Sequence, residues 1–149
     1  MRRRVLVTGG VRAGKSFHAE SLVLGEQTLQ VLEPGPDTDL AAAISGAEGA
    51  LVVDCLGRWL HGQLGDLDGW DALREEWEPV LLERVDAAAA ALSAAEHTVV
   101  LVTNETGMGA PAEQRSSRLH GELLAVVNQR LAVECDAVHL VVAGRVLSL

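Results

Sequence analysis

The residues with the clearest chemical capacity lie near the start of the chain, where Gly9-Gly10-Val11-Arg12-Ala13-Gly14-Lys15-Ser16 fits the pattern G-x-x-x-x-G-K-[ST]. Glycines at such spacing let successive backbone N–H groups point into one concave nest. A helix opening at Lys15 adds its partial positive N-terminus, so nucleotide β- and γ-phosphates would be held by dipoles already in place. Lys15 is positioned to reach the β/γ oxygens, and the Ser16 hydroxyl to take a Mg²⁺ position. Lys15 is also the single lysine among 12 basic residues, so a compact ammonium stands here in a chain that otherwise uses arginine. At this chain's own residue frequencies the pattern arises by chance on the order of one time in a thousand. The alternative is a glycine-rich turn without a ligand, and the placement after an apolar strand and before a helical stretch argues against it. Arg12 within the loop is either a phosphate contact or a solvated charge.

Two further carboxylates sit where open α/β sheets bind ligands. Asp54 closes the apolar run Leu51-Val52-Val53 and is the natural Walker-B-type residue, holding Mg²⁺ directly or through water; its other reading is a cap on the helix beginning near Gly57. Glu105 follows Val99-Val100-Leu101-Val102 and Thr103-Asn104, so it either orients a nucleophilic hydroxyl, joins the metal shell, or is a turn carboxylate. The remaining chemistry-bearing residues are weaker. His18, His61, His97, His120 and His139 show no zinc-type spacing. His139 falls within a strand and reads as a core or interface residue, and His18 as a helix residue that packs or faces solvent. Cys55 beside Asp54 reads as buried and inert. The three tryptophans pack helices on a sheet, or Trp59 or Trp70 lines a large apolar ligand site.

The elements that must position these groups follow from the apolar pattern. Short aliphatic runs at residues 5–8, 51–53, 99–102 and 138–142 lack alternation, as strands covered on both faces do; 28–32 is a weaker strand, and 146–149 a terminal strand after a turn at Gly144. Helical patterns occupy residues 15–24, 39–44, 58–64, 73–95 and 116–133. Strand alternating with helix predicts an α/β fold with a mostly parallel sheet flanked by helices and joined by right-handed crossovers. Breaker-rich loops fall at 33–37, 65–69 and 107–111, none long enough to link domains.

Composition bounds the function classes. A chain of 149 residues fits one domain able to bury its own core. A net charge of -9 argues against nucleic acid and anionic membrane surfaces, both of which need a positive field. Cys55 and Cys135 read as reduced thiols of a cytoplasmic protein. The basic start Met1-Arg2-Arg3-Arg4 is followed by only Val5-Leu6-Val7, too short for a signal-peptide core, and no uncharged run approaches the ~18 residues of a membrane span. With Phe17, Trp59, Trp70 and Trp77 the only aromatics, the core must be Val, Leu and Ala.

Together, the residue 5–16 segment with His18-Ala19-Glu20, Val53-Asp54-Cys55-Leu56, Leu101-Val102-Thr103-Asn104-Glu105-Thr106-Gly107-Met108-Gly109 and Val127-Asn128-Gln129-Arg130 resemble the adenosylcobinamide kinase / adenosylcobinamide-phosphate guanylyltransferase family. The match runs in order along nearly the whole chain, and the T-N-E-x-G-x-G run is more specific than a phosphate loop alone. The resemblance implies a RecA-like P-loop NTPase, a homotrimer, and a late step of cobalamin biosynthesis. Members phosphorylate the aminopropanol hydroxyl of adenosylcobinamide with ATP or GTP, then transfer GMP to that phosphate through a guanylyl-histidine. The catalytic residues would be Lys15, Asp54 and Glu105. Residues 9–16 would bind nucleotide, and Ser16 and Asp54 would bind Mg²⁺.

One departure matters. Members carry, after the second strand, a few tens of residues with a basic helix bearing the guanylylated histidine. Here Gln30-Val31 runs directly into Leu32-Glu33-Pro34, and no histidine lies between His18 and His61. Residues 1–149 thus form a single nucleotide-binding domain lacking that helix near residue 31. Either the protein has lost it, or the chain is longer there than these residues; the clean join on both sides favours the second. The proline placement in Ala110-Pro111-Ala112 also departs slightly from the family. A corrinoid is large, and one domain of this size is expected to offer little concave surface for it. The other readings are a different small-molecule P-loop kinase and a nucleotide-binding subunit without chemistry.

Overall fold

The computed structural model describes residues 2–110 and 112–149, so Met1 and Pro111, with the proline placement noted above, lie outside the described residues. Among these residues six strands form one sheet: β1 (Arg4–Gly9), β2 (Leu29–Leu32), β3 (Ala50–Asp54), β4 (Val99–Val102), β5 (Ala137–Val142) and β6 (Arg145–Ser148). Their spatial order is β2-β3-β4-β1-β5-β6; all pair in parallel except β6, which returns antiparallel along β5. The reversal is made at Ala143-Gly144, both at positive φ. Among the described residues five α-helices connect the strands: α1 (Lys15–Ser21), α2 (Leu40–Gly46), α3 (Leu56–Asp66), α4 (Arg74–Ala94) and α5 (Arg115–Ala132).

The unbroken aliphatic runs are explained by burial on both faces. Val5, Val7, Val52, Val100 and Val102 point to one side, where they pack with Ala19 and Val23 of the α1 region. Leu6, Leu51, Val53, Val99 and Leu101 point to the other, into the larger core with Leu60 and Trp59 of α3, Leu81 and Val85 of α4, and Leu124 and Val127 of α5. Every residue of β4 is buried, as expected of an inner strand. Burying such side chains is worth about 1.5–3 kcal/mol each, which fixes the strand register against slippage.

That register places the chemistry. Val7 and Asp54 both pair with Val102, so the carboxyl ends of β1, β3 and β4 lie side by side at one level. The segments leaving those ends are residues 9–16, Asp54-Cys55 and residues 103–109. The sheet thus gathers into one place three segments separated by about forty residues each.

Element boundaries shift modestly from the sequence pattern. Helix α1 ends at Ser21 rather than at residue 24, because residues 22–25 are drawn into turns closing at Gly25, which has positive φ. Helix α3 begins two residues earlier than its apolar periodicity suggested. Asp39 stands outside α2 as its cap, accepting from the Ala42 N–H at 3.0 Å. The weak strand at residues 28–32 is the real edge strand β2, and it runs unbroken through the Val31-Leu32 join: Val31 pairs with Val52 and Leu32 with Val53.

Candidate active site

The loop after β1 folds as its glycines dictate. At Gly9 a Cβ would collide with the Val141 carbonyl oxygen, so only glycine lets β1 leave the sheet against β5. Gly14 has φ of 104° and caps α1 from the left-handed region, and a Cβ there would lie 3.4 Å from the Gly144 Cα. No side chain caps the start of α1, which leaves its first amides open toward the loop. Gly144 N–H donates to the Ala13 carbonyl at 2.8 Å, tying the loop to the β5–β6 turn.

Lys15 Nζ donates to the Gly10 carbonyl at 2.5 Å, so its ammonium lies folded over the loop. Partial burial lowers its pKa, opposed by the negative field of Cys55 and Asp54. Ser16 Oγ donates to Asp54 Oδ2 at 2.7 Å, which brings the hydroxyl and the β3 carboxylate together across 38 residues. Cys55, not Asp54, is the residue at the α3 cap position, and no side chain bonds the helix there. This geometry removes the capping alternative for Asp54. Arg12 adopts φ of 58° at the loop crest and, among the described residues, forms no ion pair.

Glu105 meets the loop through its backbone: its N–H donates to the Gly9 carbonyl at 3.2 Å. The turn carrying it is set by Asn128 on α5. Thr103 Oγ1 donates to Asn128 Oδ1 at 2.7 Å, and Asn128 Nδ2 donates to the Asn104 carbonyl at 3.0 Å. Thr103 is fully buried, so these bonds lock the T-N-E turn in place of water. Arg130 of the same N-Q-R stretch faces outward, pairing with Asp86 of α4 at 2.7 Å.

Beside this site lies a cavity of about 940 Å³ between α3 and α5, bordered by the 3-10 turn Thr106–Met108 that follows Glu105. His61, Trp70 and His120 line it, their rings adjacent: 5.4 Å between the centroids of His61 and Trp70 and 6.4 Å between those of His61 and His120. The cavity runs counter to the expectation of little concave surface. Of the two tryptophans named as ligand-site possibilities, Trp70 lines it, while Trp59 is buried and donates its Nε1–H to the Thr38 carbonyl at 3.1 Å. No local spacing signals the cluster, because its members come from separate elements. The contact of His18 Nε2 with His139 Nδ1 at 2.8 Å was equally invisible, joining α1 to β5. Burial lowers the pKa of both imidazoles. Cys55 is only partly buried, and burial pushes the Cys135 thiol up to about 12. Among the described residues no cluster of three metal-ligating side chains occurs, and no helix is long and apolar enough to cross a membrane.

The family model for CobU, cobinamide kinase / cobinamide phosphate guanyltransferase, matches residues 26–149. This chain belongs to that family. Its sheet and flanking helices are those of an α/β P-loop NTPase. Among its relatives is the bifunctional adenosylcobalamin biosynthesis protein CobU of Salmonella typhimurium (strain LT2), 33% identical over 178 aligned residues that cover 94% of this chain and 96% of the relative. The protein of that name from Escherichia coli (strain K12) is 31% identical over the same length and coverage. As 94% of 149 residues is about 140, about 38 positions of each alignment have no counterpart here.

Proposed function

We propose that this protein is an adenosylcobinamide kinase of cobalamin biosynthesis, acting in the cytoplasm, that phosphorylates the aminopropanol hydroxyl of adenosylcobinamide with ATP or GTP. The observation that carries the reading is the Ser16–Asp54 hydrogen bond at 2.7 Å beside Lys15, in a chain of this family. In this reading residues 9–16 hold the triphosphate, their amides facing its oxygens. Lys15 exchanges the Gly10 carbonyl for the β/γ oxygens and offsets charge on the phosphoryl group in transfer. A hydroxyl and a carboxylate oxygen at hydrogen-bond distance are the hard oxygen donors that suit Mg²⁺, so Ser16 and Asp54 would hold it. Bound there, the ion would neutralise phosphate charge. Glu105, whose backbone is bonded to Gly9, would orient the acceptor hydroxyl. The rate enhancement then rests on positioning and fixed charge rather than on covalent chemistry.

The guanylyltransferase half needs a histidine nucleophile, and residues 1–149 act as a single kinase domain without the histidine helix. The direct passage of β2 through Val31-Leu32 and the roughly 38 unmatched alignment positions support that boundary. Where the protein carries the further segment, both activities are present. A homotrimer, as the family resemblance implies, would complete the corrinoid surroundings from neighbouring subunits.

The test is nucleoside diphosphate release with cobinamide, against nucleosides and shikimate-like alcohols as competing acceptors. Release that depends on cobinamide supports the reading. Release driven by another alcohol makes the protein a different small-molecule kinase, and nucleotide binding with no acceptor-dependent release makes it a subunit without chemistry.

A further inference from the structure

We infer that the cavity between α3 and α5 is the seat of the corrin macrocycle, with the faces of Trp70 and His61 against its ring. The inference rests on the kinase reading and names where the acceptor binds. Three observations converge on it. At about 940 Å³ the cavity stands near the top of the roughly 300–1,000 Å³ range of small-molecule sites, a size suited to a bulky ligand. The loop of residues 9–16 meanwhile supplies a separate place for the triphosphate.

Position is the second. The cavity wall starts at Thr106, next to Glu105, whose amide is bonded to Gly9 at the start of the phosphate loop. The cavity thus adjoins, through the Thr106–Glu105 step, the turn that is bonded to the phosphate loop. The Thr106 hydroxyl donates to the Gly121 carbonyl at 3.3 Å, joining the wall from the β4 side to α5.

Chemistry is the third. His120 Nε2 donates to the Gly57 carbonyl at 2.8 Å, which orients its ring as a fixed wall. His61 has no hydrogen-bond partner among the described residues and is exposed beside the half-buried Trp70, so both rings are open to stack on a flat ligand. The smaller cavity, of about 530 Å³, is bordered by Asp37, Asp39, Asp66 and Glu83 on the α2–α4 side. Its one aromatic, Trp59, is buried, so carboxylates and Arg84 dominate its wall.

The experiment titrates the full-length protein with cobinamide, following visible absorption and tryptophan fluorescence, and titrates GTP with Mg²⁺ separately. It compares wild type with Trp70→Leu and His61→Ala, and thermal melting checks that each variant is folded. The expected result is cobinamide affinity, and the KM for cobinamide, weakened about tenfold in each variant with GTP affinity unchanged. Wild-type-like cobinamide affinity in both folded variants overturns the assignment while leaving the kinase reading standing. Weakened GTP affinity with cobinamide affinity intact also overturns it and gives the cavity to the nucleotide base. Absence of cobinamide binding and phosphorylation in the wild type defeats the kinase reading, and this inference with it.

Discussion

Thr103 and Asn128, 25 residues apart, share a 2.7 Å hydrogen bond inside the core, and through the same Asn128 amide the α5 helix holds the Asn104 carbonyl. The turn that brings Glu105 to the phosphate loop is thereby set by a helix from the far end of the sequence. Replacing Asn128 with Ala leaves a buried hydroxyl and a carbonyl unpaired, a cost of about 1–3 kcal/mol. Chemical denaturation should show that loss, and kcat should fall alongside it as Glu105 loses its fixed position. Unchanged stability would mean the pair contributes nothing net.

Lys15→Ala should remove turnover with little effect on the fold, since among the described residues the ammonium's one hydrogen bond is to the Gly10 carbonyl and the side chain lies partly exposed. Loss of one fixed charge aimed at a transferring phosphoryl group costs on the order of 10²–10³ in kcat. Steady-state kinetics with a melting curve separates the two effects; wild-type-like kcat would remove Lys15 from the mechanism.

Gly9→Ala should be more damaging than its size suggests. The added methyl meets the Val141 carbonyl oxygen, and backbone must move to admit it. Nucleotide affinity and melting temperature should both drop, whereas Gly10→Ala, whose Cβ meets nothing within 4 Å, should leave the melting temperature close to wild type.

Legibility from sequence divided along a physical line. The phosphate loop, the buried strands and the carboxylates at their ends were readable because each depends on local pattern: glycine spacing, aliphatic runs, a polar residue closing a strand. The Ser16–Asp54 contact followed from the parallel register those runs imply. The cavity at His61, Trp70 and His120 was not readable, nor was the His18–His139 contact, since both arise from how separate elements pack. Helix α1 is shorter than its apolar pattern, which continues through Val23, because Val23 is buried by a turn rather than by helix.

The His18–His139 pair carries a pH dependence. Burial lowers both pKa values below the usual histidine value, with Arg3 adding to the effect on each and His18 on His139. The unfolded chain therefore binds more protons, so stability is fully present above the ordinary histidine range, about pH 6.5, and is lost as pH falls through it toward the lowered folded values. Melting temperature should decline from pH 7.5 to 5.5, by less in His18→Gln than in wild type. Equal declines would place the titrating group elsewhere.

The guanylyl-transfer boundary is testable by mass. Intact protein incubated with GTP and Mg²⁺ should show no GMP adduct if the chain ends its histidine inventory with the five present here. A larger intact mass with a GMP-sized increment would reveal the histidine segment and restore the second activity.

The central claim is acceptor phosphorylation, and its most direct measurement is the mass of the corrinoid after incubation of adenosylcobinamide with protein, Mg²⁺ and γ-¹⁸O-labelled ATP or GTP. The account predicts one labelled phosphoryl group added to the corrinoid in wild type, and formation of that product at least about a hundredfold slower with Lys15→Ala. Unmodified corrinoid in the wild-type reaction, from protein that binds nucleotide, would contradict it.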